Sequence, residues 1–162
     1  MTRVVLYVYT YYMKTDAAKT KSHLGEISQY PCLCAAIRKT GRHLTKKYDQ
    51  YLKPSGLKIT QFSMLANIAR NPSIAVTKLA ELLLMDQTTV TRNLRVLEKA
   101  GYIHIETDMT DNRIKRTQVT DLGMCKMDEA RPFWEKAQLE IERIIGKKSI
   151  ERLLSSFKTI TG

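Results

Sequence analysis

Apolar residues recur at helical spacing over most of the chain after Cys32. In the first such segment they fall at intervals of four and seven, at Leu33, Ile37, Leu44, Tyr48 and Leu52. Pro54 and Gly56 then stop the pattern. An apolar stripe that ends at a proline and a glycine predicts one amphipathic helix.

Three shorter helices are predicted next. Thr60 is expected to cap a helix that turns Phe62, Leu65 and Ile68 inward, and Asn71-Pro72 should end it. Another begins near Thr77 and is expected to bury Leu79, Ala80, Leu82 and Leu83. The last runs from Gln87 to Ala100 with Val90, Leu94 and Leu97 as its buried stripe, and Gly101 closes it. Asp86 is its predicted N-cap, because a carboxylate there can accept from the amide of Thr88 or Thr89.

The pattern then changes to strict alternation. Residues 102–106 and 114–119 alternate apolar and polar side chains, which predicts an antiparallel hairpin with DMTDNRIKR at its tip. A long helix should follow from Thr120 to Gly146, and a final amphipathic helix should place Ile150, Leu153, Leu154, Phe157 and Ile160 on one side. The predicted fold class is therefore mainly α with a small antiparallel β-wing.

Two short helices, a tight turn and a charged hairpin follow one another in the order of a winged helix-turn-helix. In such a unit the second helix enters the major groove of DNA, which is wide enough to accept a helix. The exposed positions of this helix carry hydrogen-bonding groups and no acid before Glu98. The predicted contacts to phosphates or base edges are Gln87, Thr88, Thr89, Thr91, Arg92 and Arg95. The alternative is an ordinary solvated face.

Composition supports a polyanionic partner. The 27 Lys and Arg residues against 16 Asp and Glu residues give a formal net charge of +11, and nucleic acid or an anionic membrane surface could each attract it. The longest apolar run, Val4 to Tyr9, is far shorter than the roughly 20 residues of a membrane span. No membrane span is therefore predicted, and we expect a cytoplasmic protein with no membrane partner. Three cysteines cannot all pair within one chain, so reduced thiols are expected.

Three stretches carry a family resemblance: GLKITQFSMLANI in the second helix, VTKLAELLLMDQTTVTRNLRVLEKAGYI through the third and fourth helices, and DMTDNRIKRTQVTDLG at the wing. With these stretches, the sequence from about Cys32 to Ile160 resembles the MarR family of bacterial and archaeal transcriptional regulators. The resemblance implies a homodimer formed by the first and last helices, a near-palindromic operator on double-stranded DNA, and release by a small-molecule effector or an oxidant. On that basis a repressor is the expected function.

The implied organisation has four parts. Residues 1–30 are an N-terminal extension of uncertain order, which is either an arm or the product of a start site upstream of Met13. Residues 31–56 form the first dimerisation helix, residues 57–119 the winged helix-turn-helix domain, and residues 120–162 the C-terminal dimerisation helices. We expect the dimer interface to include Phe133, Trp134, Ile141, Leu153 and Phe157.

The wing departs from the family in one place. Its usual pattern is Asp-x-Arg-Asp-x-Arg, and Thr110 stands here at the first arginine, while Asp108, Asp111 and Arg113 are kept. Arg113 is the predicted contact to the minor groove or the DNA backbone, and Lys115 supplies a further cation. Asp111 is predicted to brace an arginine, because phosphate repels a carboxylate. The turn between the two helices also lacks the glycine of many such motifs and has Leu84-Met85 instead.

Cys32 is a candidate redox sensor. It stands at the start of the first helix, at a position similar to that of the peroxide-reactive cysteine in the family's organic-hydroperoxide sensors. A helix N-terminus and basic side chains both favour a thiolate. The alternative is a structural role, and Cys34 and Cys125 are expected to be small core residues.

Two other classes of function are less well supported. A winged-helix module could bind another protein without reading DNA, with its charge serving solubility. An enzyme would need a nucleophile with its base, a phosphate-binding loop or paired carboxylates, and the sequence offers no such set. No catalytic residue, cofactor or metal site is therefore predicted.

Overall fold

The computed structural model describes residues 32–161, which form six α-helices and three strands. The helices are α1 (Leu33–Leu52), α2 (Ile59–Arg70), α3 (Val76–Leu82), α4 (Gln87–Lys99), α5 (Asp121–Ile145) and α6 (Lys147–Thr161), and a short 3-10 helix (Lys53–Ser55) follows α1. The strands are β1 (Ile74–Ala75), β2 (Ile103–Thr107) and β3 (Lys115–Val119). The predicted extension of residues 1–30 lies outside the described residues.

The described chain divides into two compact units. One is Thr45–Glu140, and the other combines residues 32–44 with residues 141–161. Within Thr45–Glu140 the core is built from one stripe on each helix. Leu52, Leu65, Ile68, Leu79, Val90 and Leu97 are completely buried in it. The stripe predicted for α4 is confirmed, since Val90, Leu94 and Leu97 are its buried residues.

The three strands form one antiparallel sheet in the order β1-β3-β2. The predicted hairpin is confirmed, with each strand starting one residue later than the alternation indicated. β1 was not predicted, because two residues are too few to show a period. Ile74 and Ala75 pair with Thr117 and Arg116 along the edge of β3 that lies opposite β2. The predicted fold class, mainly α with a small β-wing, is confirmed.

Two helix predictions need correction. Thr60 does not cap α2: Lys58 is the N-cap residue, and its amide donates to Gln61 Oε1 at 2.8 Å. The next amide, that of Ile59, donates to Asp49 Oδ1 at 2.7 Å, so a carboxylate from α1 replaces a local cap. Leu82 was expected inside but is exposed, because α3 is only seven residues long and buries one face at Val76, Leu79 and Ala80.

The turn after α3 forms without the glycine that many helix-turn-helix motifs have at this place. Leu84 has a left-handed backbone with φ of +49°, which costs a non-glycine residue roughly 1–2 kcal/mol. Met85 N donates to Ala80 O and Leu84 N to Glu81 O, each at 3.0 Å. This is the Schellman pattern that satisfies the last carbonyls of a helix. Met85 also packs against the core, so these contacts hold the turn without a glycine.

The second unit presents apolar side chains to solvent. In α6 Leu153, Leu154, Phe157 and Ile160 are exposed, although they share one face of an amphipathic helix. In the first part of α1, Leu33 and Ile37 are exposed as well. Phe133 and Trp134, which we expected in a dimer interface, pack partly buried against the core of Thr45–Glu140.

Candidate nucleic-acid interface

Asp86 organises the start of α4. Its Oδ1 accepts the amide of Thr89 at 2.8 Å and its Oδ2 accepts the Thr89 hydroxyl at 2.6 Å. These bonds, the hydroxyl's first, hold the pKa of the Asp86 carboxyl below its usual value. The predicted cap is therefore confirmed, with Thr89 as the partner. It fixes the direction in which the first turn of α4 leaves the protein.

The exposed side of α4 combines neutral hydrogen-bonding groups with cations. Gln87, Thr88, Arg92 and Arg95 are exposed, and Thr91 is half-buried beside them. The side chains that line one shallow depression there are Gln87, Thr88, Thr91, Arg92 and Arg95. Five of the six residues predicted on this helix are thus brought together. Thr89 differs, because its hydroxyl is bound to Asp86 and its side chain is half-buried.

The wing tip is organised around Asp108, which is largely buried. Its Oδ1 accepts the amide of Thr110 at 2.8 Å, the hydroxyl of Thr110 at 2.6 Å and the amide of Asp111 at 3.1 Å. Its Oδ2 accepts from Arg116 Nε. The Thr110 hydroxyl and then Arg116 hold the pKa of Asp108 far below its usual range, so the carboxylate remains ionised near neutral pH.

Asp111 and Arg113 form the second element of the tip. Arg113 Nε lies 3.0 Å from Asp111 Oδ1 and Arg113 Nη2 lies 2.9 Å from Oδ2, a two-point contact between guanidinium and carboxylate. The amide of Arg113 also donates to Asp111 Oδ1 at 2.9 Å. The Arg113 side chain nevertheless remains 90% exposed. The guanidinium is therefore oriented by the protein and still open to a partner.

Sequence reasoning missed the role of Arg116. Besides Asp108, it contacts the loop before β1, where Arg116 Nη1 donates to Ser73 O at 2.9 Å. Ser73 has a positive φ of +56°. Arg116 thus joins the wing to the loop after α2. No sequence pattern could have shown this contact, because it depends on the register of β3 against both of its neighbours.

Lys115 lies on β3 opposite Thr107 and is exposed. Its Nζ is 2.5 Å from Thr107 Oγ1, a hydroxyl that leaves the charge of the ammonium uncompensated in this contact.

An aromatic and polar cluster lies on the C-terminal part of α1 and on α5. Tyr48 donates its hydroxyl to Gln138 Oε1, and Tyr51 donates to Glu140 Oε2. Burial raises the pKa of Tyr48. Nearby in the core, the ring of Phe62 stacks on Trp134 with centroids 5.9 Å apart. These side chains hold α1 and α2 against α5 within the Thr45–Glu140 unit.

The cysteines differ from expectation. Cys32, Cys34 and Cys125 are all free and exposed, so the prediction that Cys34 and Cys125 are core residues is wrong for the single chain. Cys32 lies directly before α1, and its carbonyl accepts the amide of Ala36 at 3.0 Å. Within residues 32–161, no group of His, Cys, Asp and Glu side chains is arranged to hold a metal ion. No helix in the same range is long and apolar enough to cross a membrane.

Comparison with known proteins agrees with this geometry. A family model described as MarR family matches residues 55–114. The HTH-type transcriptional regulator SarZ of Staphylococcus haemolyticus is 30% identical over 92 residues, which are 57% of this chain and 63% of that protein. SarZ of Staphylococcus epidermidis is 31% identical over 91 residues, 56% of this chain and 62% of that protein. The chain thus matches less than two thirds of the length of these curated relatives.

Solved structures extend the similarity. The transcriptional regulator MosR of M. tuberculosis, in a crystal structure with DNA, is 32% identical with a TM-score of 0.73. That match covers 81% of this chain and 94% of MosR. A mutant of MarR from E. coli, crystallised with operator DNA, has a TM-score of 0.72 at 19% identity over 79% of this chain and 92% of that one, and so supports the fold alone. The relatives are transcriptional regulators, and this chain belongs to the MarR family.

Proposed function

We propose that this protein is a homodimeric transcriptional regulator that binds double-stranded DNA at a near-palindromic operator and acts as a repressor. The observation that carries the proposal is α4, a rigidly capped helix whose open side carries Gln87, Thr88, Arg92 and Arg95. Amide and hydroxyl groups can bond base edges, whereas arginines bind phosphates or guanine. A DNA partner would place the protein in the cytoplasm.

Within α4 we assign different roles to the threonines and the arginines. The Thr88 side chain is exposed, but the Thr89 hydroxyl already donates to Asp86, so Thr88 is the better candidate for reading a base. Thr88→Ala should relax the preference at one operator position. Arg92→Ala and Arg95→Ala should weaken binding to all sequences if these residues contact phosphates. An equal loss on every sequence for all three variants would remove the base-reading role.

The dimer part of the proposal rests on the exposed apolar side chains of the second unit. Leu33 and Ile37 in α1, and Leu153, Leu154 and Phe157 in α6, expose apolar surface that a second copy would bury. The Leu153→Asp, Phe157→Asp double variant should therefore be monomeric and bind an operator weakly. A matched control is the Leu82→Asp, Leu122→Asp double variant, which adds the same charges at exposed leucines elsewhere. Light scattering that shows an intact dimer for the first variant would contradict the assignment.

Release from DNA by a small-molecule effector or an oxidant completes the proposal. Cys32 is the candidate for an oxidant, because its thiol is exposed where α1 begins. Cys34 is also exposed and is the matched control. Cys32→Ser should keep its DNA affinity after organic hydroperoxide treatment, while wild type and Cys34→Ser should lose it. If Cys32→Ser loses affinity as wild type does, Cys32 is not the sensor.

A further inference from the structure

The most exposed large apolar side chain in the described part of the chain is at the wing tip. Met109 has a relative exposure of 101%, against 73% for the next, Leu84. The free protein thus leaves the whole thioether side chain in water. Among residues 32–161 the Met109 side chain adds nothing to the packing of the fold, so its apolar surface is available for a partner.

The backbone on both sides of Met109 is held in place. Asp108 precedes it and accepts the amides of Thr110 and Asp111 and the Thr110 hydroxyl. Arg116 fixes the same carboxylate from β3 and is itself bound to Ser73 O. The loop that carries Met109 is therefore connected to the rest of the sheet by an ion pair and hydrogen bonds, which limits the freedom lost when the tip binds.

The same contacts determine which side chains of the tip point into solvent. The Thr110 hydroxyl turns back to Asp108, and Asp111 turns to Arg113. Met109 and Arg113 remain open to solvent, the first with an apolar group and the second with a charge. The tip thus combines one apolar projection with one oriented cation, four residues apart in the chain.

We propose that Met109 is an apolar wedge that enters the minor groove beside Arg113 and partly unstacks one base step on each side of the operator. This inference rests on the proposed function. Minor-groove proteins insert apolar side chains, methionine included, between base steps, and the flexible thioether adapts to irregular surfaces. Pyrimidine–purine steps unstack most easily. Met109 therefore adds a preference for such a step in the operator flanks without any hydrogen bond to a base.

The test compares Met109→Ala and Met109→Leu with wild type on the duplex that wild type selects from a random pool. The alanine variant should bind at least about tenfold more weakly, the scale expected if one methylene-sized group is lost from the contact on each wing. The leucine variant should retain most of the affinity, because leucine can also act as a wedge. Asn112→Ala, which changes an exposed polar residue of the same tip, should bind as wild type does.

Salt dependence separates the wedge from an electrostatic effect. Met109→Ala removes no charge, so the slope of log affinity against log salt should equal that of wild type. 2-Aminopurine placed at successive flanking positions should brighten at one step with wild type and with Met109→Leu, and stay dark with Met109→Ala. Unchanged affinity for Met109→Ala, or no bright step with wild type, overturns the wedge while leaving the proposed function intact. If wild type selects and binds no duplex, the proposed function fails as well.

Discussion

Replacing Arg113 by alanine tests the wing's proposed contact with DNA. The side chain is 90% exposed and its bonds within residues 32–161 are to Asp111 in the same tip, so Arg113→Ala should change folding stability by less than about 0.5 kcal/mol. In the proposed dimer, the loss of one phosphate contact from each protomer removes two contacts. At about 0.9 units of slope for each phosphate, the slope of log affinity against log salt should become shallower by about 1.8.

That slope gives a measurable ratio. Between 50 and 200 mM salt, a difference of about 1.8 in slope changes the ratio of wild-type to variant affinity by about twelvefold. Fluorescence anisotropy with a labelled operator at several salt concentrations gives both slopes. Asn112→Ala is the control at the same tip. Equal slopes for Arg113→Ala and wild type would show that Arg113 neutralises no phosphate.

Asp111→Ala distinguishes the brace from simple electrostatics. Removing a carboxylate near phosphates should tighten binding if charge alone decides. In the structure, however, Asp111 orients the Arg113 guanidinium through two bonds and also accepts the Arg113 amide. We therefore expect weaker binding, because an unbraced Arg113 loses more freedom on binding. A gain in affinity for Asp111→Ala would refute the brace.

Three further predictions concern the fold around the wing. An alanine at position 123 would place its Cβ 2.0 Å from Tyr102 O. Gly123→Ala should therefore lower the free energy of unfolding by about 3 kcal/mol or more and lower Tm by roughly 6–12 °C in calorimetry. An unchanged Tm would contradict this packing. Thr117 Oγ1 is buried without a hydrogen-bond partner in the range 32–161. Thr117→Val should therefore raise the urea midpoint of unfolding by the equivalent of about 1 kcal/mol. A clear loss of stability would mean that the hydroxyl is bonded. The depressed pKa of Asp108 means that its carboxylate stabilises the wing fully above the unfolded-state pKa of about 3.9 and loses this effect as pH falls through the folded value. The NMR signals of the Thr110 and Asp111 amides, which bond this carboxylate, should therefore be constant from pH 5 to 8 and change only in acid, and Asp108→Asn should weaken that acid response.

The helices and their local caps could be predicted from the sequence where the pattern depends on near neighbours. The stripe of Val90, Leu94 and Leu97 and the cap at Asp86 depend on neighbours within four residues, and such local patterns survive in the folded chain. The Schellman turn at Leu84 shows the limit of this reasoning. A missing glycine indicated nothing by itself, and only the bonds of Met85 and Leu84 to α3 show how the turn is held.

The parts of the site that depend on register could not be predicted. Arg116 reaches both Asp108 and Ser73 because β3 lies between β1 and β2, and β1 is too short to be seen in the sequence. Caps supplied by distant elements were missed for the same reason, as for Asp49, which accepts from the start of α2. The exposed cysteines show that residue type alone predicted burial poorly for Cys34 and Cys125.

Selection of duplexes from a random pool by the wild-type protein is the direct test of sequence-specific DNA binding. Sequence-specific binding predicts enrichment of one near-palindromic sequence whose two halves are read by the paired α4 helices, with their centres about one helical turn or a multiple of it apart. It also predicts that Thr88→Ala enriches the same sequence with one position in each half relaxed. A pool that remains unenriched, while wild type still binds duplexes with a steep salt dependence, would show binding through charge alone and contradict the claim.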